Sequence, residues 1–224
     1  MLPVILPLNA AADWLNTAFS GFDMKIFEFF AGLHQEALTK FVQIFTELGD
    51  SHFVIPMLLL GLVLCVWKKT RRYGLTLFLA IIVGTLLTNC VFKVVIARPR
   101  PYVSLADNNL FMTWYAEAGS PVESDKSFPS GHTCAAFEMA IGMMLVFRHK
   151  SIKWIFPVVA VLVGASRIYL MVHYPTDVIG GCIVGIIAGI IGYLLAKLII
   201  EKSVTSDNRL ARAMQKDSLF AKAS

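Results

Sequence analysis

Residues suited to phosphate chemistry occur at three separate places between positions 93 and 177 of this chain. They are Lys93, Arg98 and Arg100 at the first place, Ser130, Gly131 and His132 at the second, and Arg167, His173 and Asp177 at the third. Cationic side chains match the negative charge of a phosphate, and arginine can bind it through two parallel hydrogen bonds. Two histidines can then divide a transfer reaction, because one attacks phosphorus while the other protonates the leaving oxygen.

The spacing of His173 and Asp177 separates the roles of the two histidines. Asp177 follows four residues later, within reach of the imidazole whether the turn is helical or broken. A carboxylate there orients the ring and supports positive charge on it. Pro175 disfavours helix at Tyr174 and suits a first helical turn, so we expect His173 at a helix junction. His173 is the better nucleophile candidate, which leaves His132 as the acid.

The segment from Phe128 to His132 predicts the start of a helix. Pro129 indicates an extended entry, and Ser130 is a favourable N-cap. A helix N-terminus offers free backbone N–H groups to an anion, and Gly131 leaves room for close approach. The segment is therefore a second part of the expected phosphate site.

The composition predicts that the elements holding these residues lie in a membrane. Of 224 residues, 57% are hydrophobic and 16% charged, and the mean hydropathy is +0.67. A helix needs roughly 20 apolar residues to cross the hydrocarbon core. Five segments qualify as expected spans: 51–67, 73–97, 130–147, 154–172 and 177–200. Residues 21–49 form either a sixth span or amphipathic helices at the interface, and periodicity does not choose between them.

The positive charges predict the orientation of these spans. They cluster as Lys68, Lys69, Arg71 and Arg72, as Arg148, Lys150 and Lys153, and as six basic residues after position 196. The positive-inside rule places these three regions in the cytoplasm. The net charge of +5 is thus a topology signal and not a sign of nucleic-acid binding. The loop 98–129 and the turn 173–176 then share the outer face with the expected site.

The domain organisation is simple. We expect one all-α, membrane-embedded domain at 1–202 and a polar cytoplasmic tail at 203–224. Residues 1–20 lack the pattern of a cleaved signal peptide and are expected to stay on the protein. The four cysteines lie in apolar segments without close spacing, which argues against a disulfide framework or a thiol enzyme. The outer residues show no metal-ligand spacing, so no metal and no cofactor are expected.

The ordered motifs resemble those of the type 2 phosphatidic acid phosphatase family of lipid phosphatases. That pattern is a Lys, six residues and Arg-Pro; then Pro-Ser-Gly-His; then Ser-Arg, five residues, His, three residues and Asp. The chain matches it with Lys93 and Arg100-Pro101, with Pro129 to His132, and with Ser166-Arg167, His173 and Asp177.

The resemblance implies a role for each of the matching residues. Lys93, Arg100 and Arg167 would bind phosphate, and Ser130 and Gly131 would assist through hydrogen bonds. His173 would become phosphorylated with support from Asp177, and His132 would act on the leaving group. Water would then hydrolyse the phosphohistidine. The compact chain resembles small bacterial members, which implies a bacterial inner membrane protein with an extracytoplasmic site and a lipid phosphate as its partner.

Several alternatives stay open from the sequence. Undecaprenyl diphosphate is favoured as substrate, with phosphatidylglycerophosphate and phosphatidate as alternatives. Arg98 also precedes a proline, although spacing favours Arg100 as the phosphate ligand. Glu138 is either a proton relay or an interhelical contact. A transporter for an anion or lipid phosphate is the alternative of another class, but it would want polar residues near the midplane. The sequence does not indicate an oligomeric state.

Overall fold

A computed structural model describes residues 6–147, 151–205 and 214, in which the regular elements are helices and no strand occurs. The helices are α1 Leu6–Ala18, α2 Ser20–Ala31, α3 Glu36–Thr46, α4 Ser51–Leu64, α5 Arg71–Thr85, α6 Lys93–Ile96, α7 Pro101–Ser104, α8 Asn109–Glu117, α9 Gly131–Val146, α10 Ile155–Tyr169 and α11 Pro175–Thr205. Short 3-10 turns cover Glu47–Gly49 and Ile152–Trp154, and a π-helical segment, Leu86–Phe92, joins α5 to α6. The expected all-α class is confirmed.

Within the described residues, four helical segments are long and apolar enough to cross a bilayer. They are Glu36–Leu64, Arg71–Ser104, Ile152–Tyr169 and Pro175–Ser203, while the apolar helix Gly131–Val146 is shorter. The protein is therefore an integral membrane protein. The count of five or six spans stays a prediction. The uncertain segment 21–49 divides into α2 and α3, and α3 continues through the turn at Glu47–Gly49 toward α4.

Two predicted spans end earlier than expected. The segment 154–172 stops being helical at Tyr169, and the segment 51–67 stops at Leu64. Leu170 and Met171 are apolar because they are buried against other helices, with Met171 in a left-handed conformation at φ 57°. Hydropathy cannot distinguish this buried turn from a lipid-facing helix, and the expected end of the segment 154–172 was wrong for that reason. The early end of the segment 51–67 has no such explanation, because Trp67 is 51% exposed.

Close packing of α11 against α9 brings the two site segments together. A Cβ atom on Gly181 would lie 2.6 Å from the carbonyl oxygen of Ser130, and one on Gly185 would lie 2.6 Å from that of Cys134. Such distances are below any normal contact, so the backbones of the two helices touch. Glycine at these two positions therefore permits the close packing of the helices.

The helix ends around the site follow from local sequence. Ala97 has a left-handed backbone at φ 50°, which ends α6 and turns the chain into the extended Arg98–Arg100 segment. Proline begins both α7 and α11, as its fixed φ favours. The basic residues Arg148 and Lys150 lie outside the described residues, as does the tail from 206 apart from Met214. Helix α11 runs to Thr205, past the expected domain boundary at 202.

Candidate active site

A cavity of about 480 Å³ lies where α6 ends and α9 and α11 begin. Its walls include Lys93, Arg100, Gly131, His132 and His173. These five expected site residues come from three distant parts of the chain. The tertiary structure thus gathers most of the sequence pattern around one opening.

His173 lies in the turn between α10 and α11, and its side chain is 1% exposed. Its Nε2 atom accepts a hydrogen bond from Nη1 of Arg100 at 2.8 Å. Its Nδ1 atom is 3.6 Å from Oδ2 of Asp177, which is close but longer than a hydrogen bond. Burial, and then the charges of Arg100 and Arg167, holds the pKa of His173 well below its ordinary value. The ring is therefore neutral near pH 7, with Nε2 directed at the Arg100 side of the cavity.

Asp177 is fully buried behind His173 and accepts several hydrogen bonds. Nη1 of Arg98 donates to Oδ1 at 2.6 Å. The backbone N–H of Tyr174 donates to Oδ2 at 3.0 Å, and the Ser127 hydroxyl donates to the same oxygen. These contacts fix the carboxylate in position beside the imidazole.

Arg98 belongs to this buried network and does not line the cavity. Its Nη2 atom is 3.2 Å from Oδ2 of Asp23 in α2, and its Nη1 atom also donates to the Thr176 hydroxyl at 2.7 Å. Asp23 in turn accepts from the backbone N–H of Thr176 at 3.0 Å. Of the two arginines that precede prolines, only Arg100 reaches the cavity. Asp23 was not identified from the sequence, since no motif separates it from the other charged residues of 21–49.

Two carboxylates of the loop before α9 pair with the three expected phosphate ligands. Asp125 contacts both Lys93 and Arg100, and Glu123 contacts Arg167. Burial raises the pKa of Asp125, but the hydrogen bond from Lys93 and the charges of Lys93 and Arg100 outweigh it and lower the pKa to about 2. Each of the three cations is thus paired with an anionic side chain.

His132 meets a further acidic residue that the sequence reasoning missed. Its Nε2 atom is 3.5 Å from Oδ2 of Asp50, which is the N-cap of α4 and accepts from the backbone N–H of His52 at 3.0 Å. A Cβ atom on Gly49 would lie 2.8 Å from Cβ of His132, so only glycine permits this approach. An aspartate directly before an apolar run signals a helix start, but nothing in the sequence links it to His132.

Ser130 and Gly131 occupy different surroundings although they are neighbours. Ser130 is the expected N-cap of α9: its hydroxyl oxygen accepts from the backbone N–H of Thr133 at 3.4 Å and from the Thr133 hydroxyl at 2.8 Å. This hydroxyl is buried and does not line the cavity. Gly131 does line it, and a Cβ atom there would lie 3.3 Å from Nζ of Lys93.

Comparison with known proteins identifies similar membrane phosphatases. An undecaprenyl-diphosphatase of Bacillus subtilis is 29% identical over 181 residues, which are 78% of this chain and 84% of that protein. Phosphatidylglycerophosphatase B of the same organism is 33% identical over 166 residues, 69% of this chain and 73% of that protein. The crystal structure of a transmembrane PAP2-type phosphatidylglycerolphosphate phosphatase from Bacillus subtilis superposes with a TM-score of 0.65 at 29% identity, covering 89% of this chain and 92% of that one.

The family model covers the whole region that contains the motifs. It matches residues 73–200, which is more than half of the chain and includes every expected site residue from Lys93 to Asp177. The solved relative agrees with this match in its fold, including the helices outside the motifs. The chain belongs to the PAP2 superfamily.

Proposed function

We propose that this protein is a membrane lipid phosphatase that hydrolyses a lipid phosphate or diphosphate through a phosphohistidine at His173. The observation that carries the proposal is the single cavity lined by Lys93, Arg100, His132 and His173. It combines cations for a phosphate with two imidazoles for its transfer. The names of the similar proteins, which are phosphatases of lipid substrates, support the same activity.

The proposed reaction uses the two histidines in sequence. The substrate phosphate draws Arg100 away from Nε2 of His173, and Nε2 attacks phosphorus while the bond to the leaving oxygen breaks. His132 donates a proton to that oxygen. In the second half, His132 accepts a proton from water, the water oxygen attacks phosphorus, and the N–P bond breaks to release phosphate. Asp177 stabilises the positive charge on His173 throughout.

The proposed reaction needs no metal ion. Among the described residues, Glu47, Asp50 and His52 have potential ligand atoms within 4.8 Å of one another, a grouping that the sequence analysis did not anticipate. Exposed acidic groups of this kind are common without an ion. We expect full turnover in excess chelator, with Glu47→Gln as a matched variant that disrupts the grouping. Activity lost in chelator and restored by magnesium would refute metal independence.

Undecaprenyl diphosphate is the favoured substrate. A relative with that specificity aligns over most of the chain, and the loop 102–128 holds only two short helices and no added domain. Phosphatidylglycerophosphate is the second candidate, because phosphatidylglycerophosphatase B is comparably similar. Phosphatidate is a third. An anion or lipid-phosphate transporter is disfavoured, since the paired histidines and Asp177 would have no task in transport.

Phosphate release by the purified protein in detergent tests the proposal. The substrates are undecaprenyl diphosphate, phosphatidylglycerophosphate and phosphatidate at equal surface concentration, and His173→Ala is the control for contaminating phosphatase. We expect the highest kcat/KM with the diphosphate. No release from any of the lipids, or equal release by the control, would overturn the proposed function. A preference for another lipid would correct the substrate alone.

A further inference from the structure

The active-site cavity continues beyond the residues that the proposed reaction uses. Its walls also include Glu138 of α9 and Thr88 of the π-helical segment. Glu138 is 1% exposed and follows His132 by six residues, which is about 9 Å along the helix. Gly84 makes space for it, since a Cβ atom there would lie 1.5 Å from Oε2 of Glu138. A carboxyl group is thus accommodated between α5 and α9.

Two buried oxygens in this part of the cavity have no hydrogen-bond partner among the described residues. They are Oε1 of Glu138 and Oγ1 of Thr88, which is 2% exposed. The other carboxyl oxygen, Oε2, accepts from the Cys134 thiol at 3.4 Å. Buried polar groups in proteins are rarely left unpaired, and ionisable residues within a membrane usually mark function. The π-helical geometry that carries Thr88 is also frequent at functional sites.

The chemistry of transfer indicates what occupies this space. In-line displacement puts the nucleophile and the leaving oxygen on opposite sides of phosphorus. A leaving group that receives its proton from His132 therefore extends away from His173. The cavity that is lined by His132 and His173 is also lined by Thr88 and Glu138, and its volume of about 480 Å³ is on the order of sixteen water molecules. One phosphate group leaves most of this space empty.

We infer that Glu138 and Thr88 form a subsite for the second phosphate of a lipid diphosphate, the one that stays on the lipid. The inference rests on the phosphatase function proposed above and deepens its substrate class. Thr88 donates its hydroxyl hydrogen to an oxygen of this phosphate. Glu138 and another oxygen share one proton, so Oε1 gains a hydrogen-bond partner from the phosphate. Lys93, whose Nζ atom lies beside Gly131 in the wall of the cavity, supplies positive charge to the two phosphates.

The test compares two substrates with the same prenyl chain, a diphosphate and a monophosphate, in one detergent. The variants are Glu138→Met, which keeps the length without the polar atoms, Glu138→Gln, which retains hydrogen bonding, and Thr88→Val. Thr76→Val is the matched control. Thr76 lies in α5 and is also buried with a hydroxyl that has no hydrogen-bond partner among the described residues, but it does not line the cavity. The measured quantity is the ratio of kcat/KM for diphosphate to that for monophosphate.

We expect Glu138→Met and Thr88→Val to lower this ratio by about tenfold, as for the loss of a hydrogen bond to a charged group. Glu138→Gln should recover much of it, and Thr76→Val should match the wild type. Thr88→Val alone decides the matter if Glu138→Met does not fold. An unchanged ratio in Thr88→Val would overturn the subsite, whether or not kcat/KM falls for both substrates together. Wild-type protein inactive on both prenyl substrates but active on phosphatidylglycerophosphate or phosphatidate would overturn the subsite alone, whereas inactivity on all of these lipids would refute the proposed function.

Discussion

Arg98 and Asp177 form a fully buried ion pair, with Nη1 of Arg98 2.6 Å from Oδ1 of Asp177. The pair ties the loop after α6 to the first turn of α11. Arg98 also lies over the Tyr174 ring, with its guanidinium carbon 3.6 Å from the ring centre. A residue that the sequence offered as an alternative phosphate ligand therefore holds the carboxylate beside His173.

We predict that Arg98→Lys lowers kcat by roughly 10- to 100-fold with little change in KM, because Arg98 acts on Asp177 and not on the substrate. Lysine keeps the charge but cannot reach Asp23, Thr176 and Asp177 together. Steady-state kinetics with a lipid phosphate measures both constants. Arg98→Met should also destabilise the fold by about 3–5 kcal/mol, since it leaves buried carboxylates unpaired. A rise in KM at constant kcat would show that Arg98 binds phosphate instead.

The two histidines should fail at different steps. His173→Ala should abolish turnover and any acid-labile phosphoenzyme, because it removes the nucleophile. His132→Ala should lose roughly 10²- to 10⁴-fold with a lipid substrate and less with a nitrophenyl phosphate, whose leaving group needs no proton. Rapid-quench detection of phosphohistidine distinguishes them. Phosphoenzyme in His173→Ala but none in His132→Ala with the nitrophenyl substrate would reverse the assignment.

The carboxylate of Asp125 should compete with phosphate for Lys93 and Arg100. Asp125 occupies Lys93 and Arg100, and its pKa of about 2 keeps it ionised at every practical pH. Asp125→Asn should therefore bind inorganic phosphate about tenfold more tightly as a product inhibitor. Inhibition constants measure the effect, with the exposed Asp107→Asn in the same loop as the control. Weaker inhibition in Asp125→Asn would show that the carboxylate helps to shape the site.

His173 should make stability depend on pH. Its folded-state pKa lies well below that of the unfolded chain, so the unfolded state binds more protons and the folded state loses stability as pH falls below about 6.5. His173→Gln removes the imidazole that takes up this extra proton in the unfolded state. Its stability relative to the wild type should therefore rise by at most about 1.4 kcal/mol per pH unit from pH 6.5 downward. Thermal unfolding in detergent between pH 5 and 8 tests this. A fall in the stability of His173→Gln relative to the wild type from pH 6.5 downward would contradict the sign.

The site should face the outside of the cell. Asp107 is exposed after the site end of α6, and Lys69 is exposed before the opposite end of α5. In a background without the four native cysteines, Asp107→Cys should react with an impermeant thiol reagent in intact cells. Lys69→Cys should react only after lysis, since basic loops stay in the cytoplasm. The reverse pattern would invert the orientation.

The sequence by itself determined the membrane character, the all-α class and the residues gathered at the cavity. Apolar length and motif spacing are local properties of the chain, and so are the Ser130 N-cap and the start of α11 at Pro175. The helix end at Tyr169 was misjudged, because a buried turn and a lipid-facing helix are equally apolar.

Only the tertiary structure decided which charged residues meet. Arg98 and Arg100 are two residues apart in equivalent Arg-Pro contexts, yet one is buried against Asp23 and Asp177 while the other lines the cavity. The directions of the two arginine side chains depend on where α2 and α11 pack, and no spacing along the chain encodes that packing. The placement of Glu138 depends on long-range packing in the same way. The space for its carboxyl group is left by Gly84, which lies 54 positions earlier in the chain. Long-range packing places these side chains, because each environment is made by residues far away in sequence.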